Sequence, residues 1–201
     1  MSLRSAVAAA LFALLAILVA AGAFTGLDQW SVDHLMPGAH FRAGTPSVVD
    51  AIVPFSRVDW SSGWDVAVNV VALPGSFLVA LALVGLRSRP LLVVLVACAA
   101  VEGLLKELLV RPALHHGPLH VVAFDSSFPS GHALRAVLLA IAFRPLLHDL
   151  AVAWAVAVLV LILLAGWHTP TDVAGGILLG LAGGGAAAAL RARGLARPAR
   201  A

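Results

Sequence analysis

Six stretches of the chain run almost free of charge for about the length a helix needs to cross a bilayer, roughly 20 residues. Charges and prolines bound them at approximately 5 to 24, 64 to 86, 91 to 110, 131 to 147, 150 to 167 and 172 to 190. The pattern predicts an all-α integral membrane protein built as a bundle of six transmembrane helices. The fourth and fifth runs are the shortest, because Arg135, Arg144 and Pro145 fall within or at the end of the fourth. Ala21-Gly22-Ala23, at the end of the first run, loosely resembles a signal-cleavage site. That run exceeds the about 7–15 apolar residues of a signal core, so it is expected to stay as a span.

Composition agrees with the pattern. Hydrophobic residues make up 61% of the 201 and charged residues 11%, against roughly 45–50% and 25% in soluble domains. The bilayer is the expected solvent, with residues 1–201 forming one membrane-embedded domain and membrane lipids as its surroundings. The isoelectric point of 10.4 invites a nucleic-acid reading, but the 13 Lys and Arg lie mostly at the ends of apolar runs, where they set orientation instead. Six crossings put Arg4, Arg87, Arg89, Arg144, Arg191, Arg193, Arg197 and Arg200 on one side, which places both termini in the cytoplasm. The opposite side receives residues 25–63, residues 111–130 and the turn Trp167-His168-Thr169-Pro170-Thr171. Residues 25–63 mix Trp30, Phe41, Phe55 and Trp60 with Asp28, Asp33, Asp50 and Asp59. They read as an interfacial extracytoplasmic segment with aromatic belt anchors and nothing catalytic. Cys98 is the single cysteine, so no disulfide forms within the chain.

Three clusters far apart in sequence are expected at that same extracytoplasmic face. The first ends the third run at Lys106 and Arg111-Pro112, since a residue before proline disfavours helix. Glu102 with Lys106 and Glu107 with Arg111 are spaced four apart and can simply pair along a helix; ionisable residues in an apolar run otherwise mark function. The second is Pro129-Ser130-Gly131-His132, opening the fourth run. Ser130 suits a helix cap, Gly131 permits close backbone approach, and first-turn amides can hold an anion. His132 can donate a proton to a departing oxygen, with Arg135 on roughly the same face, or Ser130 only caps and His132 only sits at the interface. The third is His168 with Asp172 four residues on. Thr169 and Asp172 also fit a capping box with Pro170 at the first helical position. Capping is compatible with Asp172 holding the His168 tautomer so that the imidazole attacks phosphorus.

In this order the clusters resemble the type 2 phosphatidic acid phosphatase family, which is similar in its active site to vanadium-dependent haloperoxidases. The motifs span residues 106–172, and Pro-Ser-Gly-His at 129–132 matches the family's second motif outright. The resemblance implies a phosphatase needing neither metal nor cofactor, acting on a lipid phosphate or pyrophosphate. His168 would be the nucleophile, Asp172 its orienting carboxylate and His132 the general acid, with Lys106, Arg111, Ser130, Gly131 and Arg135 holding the phosphate. Two family arginines are missing: the first motif's Arg-Pro falls on Ala113-Leu114, and the third motif's Ser-Arg falls on Leu161-Ile162. Loss of one oxyanion donor costs about 10²–10³ in rate. Arg111 and Arg135, read as outward-facing, are expected to substitute for them in space.

His115, His116 and His120 suggest a metal site, but no carboxylate is evident nearby and Gly117-Pro118 breaks helical spacing, so a polar loop is the better account. Two other classes stay open. One is a family member that keeps the cradle and binds lipid phosphates without efficient turnover. The other is a transporter or scaffold using the glycines of the last run for helix packing.

Overall fold

A computed structural model of the chain describes residues 2–37 and 58–195. Among the described residues the regular structure is helical apart from one small hairpin, with two short 3-10 turns: α1 (Leu3–Ala20), α2 (Thr25–His34), α3 (Gly63–Val71), α4 (Phe77–Arg87), α5 (Arg89–Leu108), α6 (Gly131–Leu147), α7 (Asp149–Leu164) and α8 (Pro170–Leu195). The antiparallel hairpin pairs β1 (His115–His116) with β2 (Leu119–His120). Phe41, Phe55 and Asp50 of the interfacial segment lie outside the described residues.

Among the described residues two helices, Leu3–Ala20 and Pro170–Gly194, are long and apolar enough to cross a membrane. This corrects the expectation of six full-length spans. The second run breaks where Leu73-Pro74-Gly75 forms a single 3-10 turn, leaving α3 with 9 residues and α4 with 11. A proline lacks the amide that a continuous helix would use there. α5 reaches 20 residues but carries Arg89, Glu102 and Lys106. α6 and α7 stop at 17 and 16 residues, and α6 includes Arg135 and Arg144.

α8 is the central element, packed against α1, α5 and α6, while α7 lies on α6 and α3. Small residues make this possible. A Cβ on Gly176 would collide with the carbonyl oxygen of Ser130, and one on Gly180 would lie 2.8 Å from Cβ of Val137. The start of α8 is therefore pressed onto the start of α6. Leu95, Leu134 and Leu138 centre one apolar core, and Val68, Ala133, Val158 and Ile162 centre another. Outward positions are apolar too, among them Leu14, Ile17, Leu104, Val156 and Leu181. At one end of the bundle, Ser5 lies against Gly185 and Arg191 donates to Ser88 Oγ at 3.1 Å. Arg87 stands 5.7 Å over the Phe143 ring at that end. The motif residues occupy the other end, where α5 finishes and α6 and α8 begin.

Candidate functional site

Two helix caps build the centre. Ser130 Oγ accepts from the Ala133 amide at 3.3 Å, and the Ser130 amide donates to the Asp172 carbonyl at 2.9 Å, tying α6 to α8. The Asp172 amide donates to Thr169 Oγ1 at 3.4 Å and the Thr169 amide donates to Asp172 Oδ2 at 2.9 Å, a reciprocal capping box with Pro170 opening α8. The same box presents Asp172 to the preceding histidine. His168 Nδ1 lies 3.6 Å from Asp172 Oδ2 and is buried without a hydrogen-bond partner. Burial pushes the His168 pKa below its ordinary value, against the pull of Asp172 in the other direction. That shift favours the neutral imidazole over the imidazolium.

His132, from the first turn of α6, brings its ring centroid within 6.1 Å of the His168 ring. Its ring also meets Trp167 edge-on at 5.4 Å, and Trp167 Nε1 donates to Asp65 Oδ1 at 3.0 Å. The two histidines thus share one end of the bundle, and Trp167 links His132 to Asp65 of α3.

The cations are arranged differently from the expectation. Arg111 and Arg135 are buried, at 7% and 6% exposure, and not outward-facing. Arg111 does not pair with Glu107, because α5 ends at Leu108 and the chain turns extended at Leu109. Its Nη1 donates to Asp172 Oδ1 at 2.8 Å and to Ser127 Oγ at 3.2 Å, while Nη2 donates to Asp28 Oδ2 at 2.6 Å. Asp28, in the segment read as lacking catalytic interest, is therefore part of the site's frame. It also accepts from the amide and hydroxyl of Thr171. Burial raises the Asp28 pKa in spite of Thr171 and Arg111, which draw it down.

Lys106 keeps the helical pairing anticipated for it, donating to Glu102 Oε1 at 2.7 Å. Arg135 approaches the same carboxylate from α6, with Nη1 3.1 Å from Oε2, and anchors its Nε on the Gly75 carbonyl at 2.6 Å. A Cβ on Gly131 would run into this Glu102 carboxylate, whose Cδ lies 2.6 Å from that point. Each of Lys106, Arg111 and Arg135 thus already faces a carboxylate of this chain. Ile162, where the family places an arginine, has 0% exposure within the core around Val158. Substitution of the missing arginines by Arg111 has no support in this geometry, since both its terminal nitrogens are committed.

The sequence reading missed Asp28, Thr171 and Ser127, and saw Glu102 only as a partner for Lys106. In the histidine loop, Gly117 turns the chain at φ +61° and His120 Nε2 lies 2.8 Å from Asp125 Oδ1. A carboxylate does stand beside these histidines, contrary to expectation. Among the described residues, no group of three or more His, Cys, Asp or Glu gathers as a metal ion requires. Comparison with protein-family models, curated proteins and solved structures finds no match to this chain.

Proposed function

We propose that the chain is a multi-pass cell-membrane phosphatase with both termini cytoplasmic, the shorter helices packing in the bilayer between the two full-length spans. It hydrolyses the phosphate monoester or pyrophosphate of a lipid at the extracytoplasmic face. The observation that carries this reading is the meeting of His168, Asp172 and His132 with Lys106 and Arg135 at one end of the bundle, from segments remote in sequence. Neutral His168 attacks phosphorus and forms a P–N bond. The P–O bond to the lipid breaks, and the departing oxygen takes a proton from protonated His132. Asp172 stabilises the charge on the phosphohistidine. Water then gives a proton to His132 and attacks phosphorus, the P–N bond breaks, its electron pair returns to His168, and inorganic phosphate leaves. Lys106 and Arg135, with the Ser130-Gly131 turn, hold the non-bridging oxygens; Arg111 serves through Asp172.

A second reading, a family member that binds lipid phosphates without efficient turnover, is favoured by one observation. Every cation of the site is already engaged by a carboxylate. Phosphate release from phosphatidate, lysophosphatidate and polyprenyl pyrophosphate by purified protein separates the two. Release that disappears in His168→Ala without added metal is the expected result, and equal release by both proteins refutes the enzyme. A parent that binds these lipids but releases no phosphate from any of them establishes the second reading.

A further inference from the structure

We infer that Glu102 sets the substrate affinity of this site, its carboxylate holding the place between Lys106, Arg135 and Gly131 that a phosphate takes by exchange. The inference rests on the phosphate-binding reading above. Glu102 belongs to α5 and is buried at 7% exposure. One of its oxygens accepts from Lys106 Nζ at 2.7 Å and the other from Arg135 Nη1 at 3.1 Å. Two oxygens bridging two cations reproduce what two non-bridging oxygens of a phosphate would ask of the same donors.

A plain helical pair between Glu102 and Lys106 accounts for less. Such a pair needs neither burial, nor a second cation from another helix, nor a contact so close that position 131 has no room for a side chain. All three are present. Arg135 is held by the Gly75 carbonyl, and the Lys106 side chain keeps 27% exposure against 10% for Glu102, so Lys106 is the member freest to move and to release the carboxylate when an anion enters. A terminal phosphate, carrying up to two negative charges, competes for these donors better than a singly charged phosphodiester. That selects monoesters and pyrophosphates. After hydrolysis the carboxylate returns to the cations and opposes rebinding of the inorganic phosphate product.

The test is a calorimetric titration of the purified full chain in detergent with inorganic phosphate, for the parent, Glu102→Gln and Glu102→Asp. Glu102→Gln should bind phosphate about 10- to 100-fold more tightly, the range spanned by one hydrogen bond to a charged group. Glu102→Asp, which withdraws the carboxylate by one methylene and keeps its charge, should fall between. Affinity no greater than the parent's in both variants overturns the inference. So does loss of the fold in both, because the carboxylate would then be a structural member that no ligand displaces. If only Glu102→Gln fails to fold, Glu102→Asp decides. The readout is binding, so it separates from catalysis. Tighter phosphate binding by variants of a parent that hydrolyses no lipid upholds the exchange and sinks the enzyme. Hydrolysis by the parent with unchanged phosphate affinity in the variants does the reverse.

Discussion

Arg111 shows how a buried charge can be structural and still belong to a site. It bridges Asp28 and Asp172, both at 1% exposure or less. Removing one member of such a pair leaves an uncompensated buried charge, which costs about 3–5 kcal/mol. Arg111→Ala should therefore lower the thermal denaturation midpoint sharply. Adding Asp28→Asn should recover part of the loss, since one stranded charge goes with it; a double variant no more stable than the single would mean that Asp28 is not the partner that matters. This pairing was illegible in the sequence, because Asp28 and Arg111 stand 83 residues apart. The caps at Ser130 and Thr169 were legible, because their partners lie three residues away. Glu102 was half legible: its tie to Lys106 is local, while its reach to Arg135 depends on how two helices meet.

At the level of elements, the decisive contact is α6 on α8. Helix starts at Gly131 and Pro170 were readable from capping chemistry and held within two residues of the expected starts of the fourth and sixth runs. Apolar continuity across 64–86 hides the break between α3 and α4, which falls at the Leu73-Pro74-Gly75 turn. What no periodicity reveals is how closely the two helices approach. Gly176 sets that distance against the Ser130 carbonyl, a backbone atom that cannot rotate aside. Gly176→Ala should separate the helix starts and cost about 1–3 kcal/mol, the usual range for overpacking. It should also weaken catalysis, because the bond from the Ser130 amide to the Asp172 carbonyl spans that seam. A variant with unchanged melting and unchanged activity would show that the seam is looser than its geometry.

For the whole molecule, the two ends differ in how their cations are held: Arg111 and Arg135 sit beside the motif histidines but are neutralised by buried carboxylates, while other arginines gather at the far end. Arg87 and Arg191 lie at the Ser88 end, whereas His132 and His168 lie where α5 finishes. On the proposed topology, the positive-inside rule predicts that the histidine end faces outside. In a Cys98→Ala background, His116→Cys should react with a membrane-impermeant maleimide added to intact cells, and Arg193→Cys only after permeabilisation. The opposite pattern would invert the topology and with it the side proposed for the site.

The pairing of every site cation with an internal carboxylate also bears on biogenesis. A cluster of bare positive charges would burden insertion and would need a bound anion to settle into place. Here the chain carries its own counter-ions, so the mature geometry should form without any bound anion, and cells depleted of phosphorylated lipid should still accumulate the folded protein.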